Sequence, residues 1–288
     1  MTDGTYLTGS ARLAGVMGWP VSHSRSPRLH GYWLKEYGLD GTYIPLAVEP
    51  EHLEPAIRGL HALGFKGCNL TIPHKEAVFP LVDDLTETAR RVGAVNTLII
   101  GEDGRIQGDN TDGFGFTANL NAGAPDWQAA NGPAVLLGAG GAARAIAVAL
   151  LDAGCPSLRL VNRTRERAER LAEALRPMAP GGSIEVIDWD ERAGALDGAG
   201  LLVNTTSLGM SGQPPLEIAL DDLPADATVT DIVYAPFETE LLAAARQRGH
   251  GVVDGLGMLL HQARPGFAAW FGVDPDVTDA LRRVVLGG

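Results

Sequence analysis

The fold is decided by the stretch Ala134-Val-Leu-Leu-Gly138-Ala-Gly-Gly-Ala-Ala143, in which an apolar strand runs into a glycine turn and then into a helix. This is the context in which a glycine turn binds a dinucleotide. Gly138 permits the tight turn, Gly140 lets the backbone approach a pyrophosphate, and Ala143 is small enough for close helix–strand packing. The N–H groups that open the helix would face the phosphates. A strand–helix turn without a ligand is the alternative, and the flanking elements favour a dinucleotide-binding domain.

The next strand indicates which dinucleotide is bound. It is predicted over Ser157–Val161 and is followed by Asn162-Arg-Thr-Arg-Glu-Arg167. A site that prefers NAD usually has Asp or Glu here, which accepts hydrogen bonds from the ribose 2′-hydroxyl. Arg163 takes that place and Arg167 lies one helical turn further on, and guanidinium groups bind a 2′-phosphate through paired hydrogen bonds. A solvated basic helix start is the alternative, but it would oppose the helix dipole. The pattern predicts NADP(H).

Around this loop, short β-branched runs alternate with amphipathic stretches, which predicts an α/β protein with mostly parallel sheets. The predicted strands are Leu13–Met17, Thr42–Val48, Gly67–Ile72, Val95–Ile100, Arg105–Gln107, Ala134–Leu137, Ser157–Val161, Ile184–Ile187, Leu201–Asn204 and Thr228–Val233. The predicted helices are Pro27–Tyr37, Glu51–Leu63, Ala142–Ala153, Arg165–Leu175, Glu238–Arg248, Leu256–Trp270 and Val277–Val285, with one more beginning near Asp112.

Two domains are expected from this order of elements. Residues 1–112 with 251–288 would form an N-terminal α/β substrate domain, and residues 113–250 a Rossmann-like NADP-binding domain. Helices would link the two domains, and a cleft between such domains is where ligands commonly bind.

Composition narrows the possible partners. The 288 residues carry a formal net charge of −12, which disfavours nucleic acid and means that an anionic ligand needs local binding groups. We expect no transmembrane helix, because no apolar run reaches about 18 residues, and no secretory signal in the N-terminal segment. Cys68 and Cys155 lack C-x-x-C spacing, so we expect two reduced thiols, no metal site and a cytoplasmic protein.

Two hydroxyl side chains precede the first predicted helix. Ser24 and Ser26 alternate along the chain just before Pro27, so in an extended segment both point to one side. Two hydroxyls beside a helix N-terminus suit a carboxylate ligand. Capping of the helix by Ser26 is an equally ordinary interpretation. His23 and His30, which flank this segment, are expected to be structural.

Lys75 and Asp112 form the candidate catalytic pair. Taken singly, a solvated loop lysine and a helix N-cap explain them. The cofactor loop supplies a hydride acceptor, however, and oxidation of a secondary alcohol then needs a group to handle the hydroxyl proton. A lysine can do so when its surroundings tune its proton affinity, with a carboxylate to hold it in place.

Nearly the whole chain resembles the shikimate dehydrogenase family. The motifs that carry the resemblance are Ser24-x-Ser26-Pro27, Asn69-x-Thr71-x-Pro73-x-Lys75, Ala94-Val-Asn96-Thr97, Gly108-Asp-Asn-Thr-Asp112-Gly113, Gly138-Ala-Gly-Gly-Ala142, Asn162-Arg163-Thr164, Asn204-Thr-Thr-Ser-Leu-Gly-Met210, Asp231-x-x-Tyr234 and Asp254-Gly-Leu-Gly-Met258 with Gln262. The resemblance implies reversible reduction of 3-dehydroshikimate to shikimate with NADP(H), in chorismate and aromatic amino acid biosynthesis.

The resemblance also implies roles for individual residues. Lys75 and Asp112 would be the catalytic dyad, and Ser24 and Ser26 would bind the substrate carboxylate. The other implied substrate contacts are Asn69, Thr71, Asn96, Asp112, Tyr234 and Gln262. The implied cofactor contacts are Gly138, Ala139, Gly140, Gly141, Ala142, Asn162, Arg163, Thr164, Arg167, Thr205, Ile232 and Gly255. His74 departs from the family pattern, where an aromatic residue is frequent, as does Gly31, where asparagine is common.

Two alternatives stay open at this point. One is a quinate/shikimate dehydrogenase that uses NAD, which Arg163 and Arg167 disfavour. The other is a non-catalytic NADP(H)-binding regulatory protein, which would not need both Lys75 and Asp112. A small-molecule substrate is expected, with the chain a monomer or a homodimer and no nucleic-acid or membrane partner.

Overall fold

The computed structural model describes residues 7–287. Leu7–Thr111 together with the chain from Gln262 onward form one compact unit, unit 1, and Asp112–His261 form another, unit 2. The first six residues, which belong to the segment where no secretory signal was predicted, lie outside the described residues, as does Gly288. No helix of the described part of the chain is long and apolar enough to cross a membrane.

Unit 1 contains a mixed sheet flanked by helices. Its strands are β1 (Arg12–Gly18), β2 (Gly41–Ala47), β3 (Phe65–Leu70), β4 (Asp84–Leu85), β5 (Thr97–Ile100) and β6 (Ile106–Asp109). Its first helices are α1 (Ser26–Glu36), α2 (Leu53–Ala62), α3 (His74–Ala77) and α4 (Glu87–Val92). The strand order is β2-β1-β3-β5-β6-β4, in which β5 runs antiparallel to both neighbours.

Strands β5 and β6 form a hairpin, whose turn contains Glu102-Asp-Gly104. The N–H of Gly101 donates to the carbonyl of Arg105 at 2.9 Å, and Gly104 adopts φ +81°, which a residue with a side chain rarely does.

Unit 2 is a doubly wound α/β fold. Its strands are β7 (Ala134–Leu137), β8 (Ser157–Val161), β9 (Ser183–Ile187), β10 (Leu201–Asn204), β11 (Thr228–Asp231) and β12 (Gly251–Val253). Its helices are α5 (Asp112–Gly123), α6 (Gly141–Asp152), α7 (Arg165–Leu175) and α8 (Glu240–Gln247). All pairs in the sheet are parallel, in the order β9-β8-β7-β10-β11-β12. This order defines a Rossmann fold, in which two mononucleotide-binding halves meet between the first and fourth strands.

Two C-terminal helices complete the chain, α9 (Gly255–Phe271) and α10 (Asp279–Leu286). The indole N–H of Trp270 donates to the carbonyl of Leu98 on β5 at 2.9 Å, so the end of α9 is fastened to the sheet of unit 1. The indole N–H of Trp33 on α1 donates in turn to the carbonyl of Asp276 at 2.9 Å. The end of α9 and the segment before α10 thus contact unit 1.

The structure also contains elements that the pattern did not predict. β12 is three residues long, too short to show a period, and it pairs with β11. The boundary between the two units lies within α9, between His261 and Gln262. β3 ends at Leu70, and Ile72, which was predicted to continue that strand, is 76% exposed. Short 3-10 helices lie at Pro50–His52, Phe79–Leu81, Ala129–Asn131, Arg176–Met178, Trp189–Glu191 and Gly194–Leu196.

Candidate active site

Unit 1 contains a buried cluster of hydrogen-bonded polar side chains. The Asn69 amide group donates to the carbonyl of Asn96 at 3.2 Å and to the hydroxyl of Thr97 at 3.1 Å. Its Oδ1 accepts a hydrogen bond from the Tyr43 hydroxyl at 2.6 Å. Both hydrogens of the Asn69 side-chain amide are thus used. Buried polar groups of this kind are costly unless they are satisfied, which explains the dense bonding.

Asn96 holds the next layer of the cluster. Its Oδ1 accepts hydrogen bonds from the N–H of Thr111 at 2.9 Å and from the Thr97 hydroxyl at 2.9 Å. Its Nδ2 donates to the Thr111 hydroxyl at 3.1 Å and to Gln262 Oε1 at 3.4 Å. The structure thus brings together three of the implied substrate contacts, Asn69, Asn96 and Gln262.

The cluster has members that sequence reasoning missed. Thr97 and Thr111 stand next to implied site residues within quoted motifs, and that adjacency was the available signal. Tyr43 carried only the alternation of a strand, and nothing in its own segment indicates a partner on β3.

Burial raises the pKa of Tyr43 well above its usual range, with the neighbouring Cys68 adding to the shift and a hydrogen bond with Ser26 opposing it.

His30 is a structural residue, as expected. Its ring stacks on Tyr43, with centroids 3.8 Å apart and planes within 4°, and it meets the edge of Trp33 at 5.7 Å. It is fully buried, and burial lowers its pKa to about 3. The neutral imidazole of His30 is therefore part of a group of packed aromatic rings that includes Tyr43 and Trp33.

Ser24 and Ser26 lie at the start of α1. The N–H of Ser26 is 3.3 Å from the Ser24 hydroxyl, to which it donates, and Ser26 is buried while Ser24 is half-buried. The capping interpretation of Ser26 is wrong, because α1 begins at Ser26 itself and its N-cap position is Arg25. The Ser26 hydroxyl instead faces Tyr43, toward the cluster.

Lys75 is half-buried in the short helix α3. Its carbonyl accepts a hydrogen bond from the N–H of Val95 at 2.8 Å, which fastens this turn beside the Asn96 segment. His74, just before it, is fully buried, and its Nε2 lies 2.8 Å from the carbonyl of Val48. Because a carbonyl only accepts, Nε2 carries the hydrogen, and His74 ties α3 to the end of β2. Thr71, half-buried, precedes this turn, and its N–H donates to the carbonyl of Met17 at 2.9 Å.

Asp112 is buried and is the first residue of α5, as predicted. A carboxylate at this position is favoured by the helix dipole. It directly follows Thr111, whose N–H and hydroxyl are held by Asn96.

In unit 2, the glycine loop has two kinds of glycine. Gly138 adopts φ +111°, and an added Cβ would lie 2.5 Å from the Thr205 hydroxyl, so the protein itself requires glycine there. Gly140 adopts ordinary φ −94° at the N-cap of α6, and a Cβ on either Gly140 or Gly141 would meet no protein atom within 4 Å. Neither backbone strain nor packing against the protein requires these two glycines, which leave open space at the start of α6. The residues therefore fit a dinucleotide at this helix start.

The arginines after β8 divide into two groups. Arg165 donates to Glu169 at 2.9 Å and to Asp188 at 2.5 Å, so it braces the start of α7 against the end of β9. Arg163 and Arg167 are exposed on the same loop and helix turn. Asn162 shapes the loop by donating from Nδ2 to the carbonyl of Thr164 at 2.8 Å. Arg165 is thus a structural brace, distinct from the exposed Arg163 and Arg167.

The remaining implied contacts of unit 2 follow β10, β11 and β12. The Thr205 hydroxyl donates to the carbonyl of Leu137 at 2.7 Å, which holds it against the glycine loop. An added Cβ on Gly255 would lie 2.5 Å from the Ile232 carbonyl, so these two backbones touch. Tyr234 is half-buried in the loop after β11. Within the described residues, no group of His, Cys, Asp and Glu is arranged to hold a metal ion.

The fold and these residues define a class of protein, an α/β dehydrogenase with a Rossmann-type dinucleotide domain. Three family models match the chain: "Shikimate dehydrogenase substrate binding domain" over residues 16–98, "Shikimate / quinate 5-dehydrogenase" over 124–207 and "Shikimate 5'-dehydrogenase C-terminal domain" over 255–286. The chain is 63% identical to the shikimate dehydrogenase (NADP(+)) of Rhodospirillum rubrum, over 98% of this chain and 99% of that protein. It belongs to the shikimate dehydrogenase family.

Solved structures have the same fold. Shikimate 5-dehydrogenase from Thermus thermophilus, in complex with NADP(H) and shikimate, is 36% identical with a TM-score of 0.83, over 95% of this chain and 99% of that one. Quinate dehydrogenase from Corynebacterium glutamicum, in complex with NAD, is 33% identical with a TM-score of 0.89, over 96% and 99%. The fold alone therefore does not separate the two substrates or the two cofactors.

Proposed function

We propose that this chain catalyses the reversible NADP(H)-dependent reduction of 3-dehydroshikimate to shikimate, the step that the family performs in chorismate and aromatic amino acid biosynthesis. The observation that carries the proposal is the buried cluster of Asn69, Asn96 and Thr111, beside which Lys75 is fastened by Val95. A cluster of amide and hydroxyl groups suits a ligand with several hydroxyls, and a lysine suits the proton that an alcohol must gain or lose.

The substrate carboxylate is assigned to Ser24 and Ser26. Their hydroxyls stand at the start of α1, where N–H groups and the helix dipole also favour an anion. Such local binding is needed because the protein as a whole carries a net charge of −12. Contacts with the ring hydroxyls or the carboxylate are assigned to Asn69, Thr71, Asn96, Tyr234 and Gln262.

Lys75 and Asp112 are assigned to the proton transfer. In the reductive direction the ketone carbon receives a hydride, which the bound cofactor supplies, and its oxygen receives a proton from the pair. Asp112 would hold the lysine in place and would also contact the substrate. We assign this transfer to the pair jointly.

The cofactor is assigned to the glycine loop and the arginine pair. The pyrophosphate would lie on Gly138, Ala139, Gly140, Gly141 and Ala142, and the 2′-phosphate on Asn162, Arg163, Thr164 and Arg167. Thr205, Ile232 and Gly255 would border the nicotinamide half. We further propose that the protein works in the cytoplasm as a monomer or a homodimer.

The test is the absorbance of the reduced nicotinamide, followed with shikimate or quinate and with NADP⁺ or NAD⁺. We expect the highest kcat/KM with shikimate and NADP⁺. A higher value with NAD⁺ would support the quinate/shikimate alternative, and no signal with any pair, although NADPH binds, would support a regulatory protein.

A further inference from the structure

A buried carboxylate outside the assigned contacts lies at the end of β11. Asp231 is fully buried, and its Oδ1 accepts hydrogen bonds from the N–H of Val233 at 2.9 Å and from Asn204 Nδ2 at 3.0 Å. Its Oδ2 accepts a hydrogen bond from the Thr239 hydroxyl at 2.8 Å. Three donors converge on one carboxylate, which is the arrangement that an ionised acid needs when it is removed from water.

These bonds join two loops. Asn204 is the last residue of β10, and its Oδ1 accepts hydrogen bonds from the N–H of Thr206 at 3.0 Å and from its hydroxyl at 2.7 Å, which shapes the loop after β10. Thr239 is the N-cap of α8 and ends the loop after β11, where its hydroxyl also accepts a hydrogen bond from the N–H of Leu242. Asp231 therefore fixes the start of one loop and both ends of the other.

The sheet order places these loops at one half of the cofactor site. In a fold of this order, one mononucleotide lies at the carboxyl ends of the first three strands and the other at those of the last three. The glycine loop and Arg163 follow β7 and β8, so the adenosine half belongs there. The nicotinamide half then belongs to β10, β11 and β12, whose following segments carry Thr205, Ile232 and Gly255.

We propose that Asp231 is a positioning residue for the nicotinamide half of the cofactor, acting through the two loops it joins. Ile232 lies between Asp231 and Val233, and its own N–H donates to the carbonyl of Asn204 at 3.1 Å, so the carboxylate sets the turn that presents Ile232 to Gly255. No described contact of the carboxylate reaches the loops after β7 or β8. The inference rests on the proposed function, because it takes NADP(H) as the cofactor.

Asp231→Asn tests the proposal by binding alone. The substitution keeps the size of the side chain but replaces one acceptor oxygen by an NH₂ group. At least one of the three hydrogen bonds is then lost, because two donors face each other. We expect the Kd for NADPH to rise about tenfold or more, whereas the Kd for adenosine 2′,5′-bisphosphate, which lacks the nicotinamide half, changes less than about twofold. Both are measured by calorimetry on the purified protein. Asp222→Asn makes the same charge change at an exposed site and should alter neither value.

Thr239 provides a second test that keeps the proposal falsifiable if Asp231→Asn does not fold. Thr239→Val removes the hydroxyl at constant shape and should weaken binding of NADPH but not of the bisphosphate. Thr239→Ser keeps the hydroxyl and should bind NADPH as the wild-type protein does. An equal loss for NADPH and the bisphosphate, or no loss for either, would overturn the positioning role. Failure of the wild-type protein to bind NADPH would instead contradict the proposed function.

Discussion

The carbonyl oxygen of Lys75 and the N–H of Val95 are joined by a hydrogen bond of 2.8 Å. Val95 precedes Asn96, and the Asn96 side chain holds both the N–H and the hydroxyl of Thr111, the residue before Asp112. Lys75 and Asp112 are therefore both attached to one buried network, although they lie far apart in the sequence. The hydrogen bonds of this network fix the backbone at Lys75 and at Thr111, the residue before Asp112.

Lys75→Ala should remove most of the turnover while leaving the site able to bind. We expect kcat to fall roughly 10²–10⁴-fold, the range for loss of a general acid or base. The Kd for shikimate should stay within about tenfold, because the cluster around Asn96 is unchanged. Steady-state kinetics and calorimetry measure the two quantities.

Lys66→Ala is the matched control for this substitution. Lys66 lies on β3 with an exposed side chain, so its loss should leave both kcat and the Kd near wild-type values. A near-normal kcat in Lys75→Ala would show that another group handles the proton.

Arg163→Ala should reduce the preference for NADP⁺ over NAD⁺. A guanidinium that binds the 2′-phosphate contributes only to the phosphorylated cofactor, so we expect kcat/KM for NADP⁺ to fall about tenfold or more and that for NAD⁺ to change little. Arg165→Ala is the control, because Arg165 is engaged by Glu169 and Asp188 and should leave the ratio unchanged. Equal losses with both cofactors would refute the assignment of Arg163.

Gly138→Ala and Gly140→Ala should separate stability from binding. At Gly138 the added Cβ meets both a left-handed φ and the Thr205 hydroxyl, so we expect unfolding free energy to fall by about 1–3 kcal/mol. At Gly140 the Cβ enters open space, so stability should hold while NADPH binding weakens. Urea unfolding measures stability and calorimetry measures NADPH binding. Full NADPH affinity in Gly140→Ala would contradict the assignment of the pyrophosphate to this loop.

The parts of the site that could be predicted from sequence are those carried by a continuous segment. The strand, the glycine turn and the helix at residues 134–143 are contiguous in the sequence, so their apolar pattern and glycine spacing can be read locally. β12 escaped prediction because three residues show no period and its place depends on pairing with β11.

Other parts depend on packing between distant segments. The Tyr43 hydroxyl on β2 reaches Asn69 on β3, and only the sheet brings these two residues together. The ion pair of Arg165 with Asp188 likewise depends on the placement of β9, because Asp188 directly follows that strand. Hydrogen-bond partners that lie far apart along the chain leave no periodic signal for sequence reasoning to use.

Stability should fall in mild acid through His30. Burial lowers the folded-state pKa of His30 to about 3 from the ordinary value of 6.5, so below pH 6.5 the unfolded chain takes up a proton that the folded chain does not. The stability that neutral His30 contributes is therefore present above pH 6.5 and is lost as the pH falls toward 3. The loss amounts to about 1 kcal/mol between pH 7.5 and 5.5. His30→Phe keeps a ring against Tyr43 and should lack this component in urea unfolding at the two pH values, whereas His23→Gln, at an exposed position, should retain it. If the pH dependence of stability in His30→Phe equals that of the wild-type protein, burial does not lower the folded-state pKa of His30.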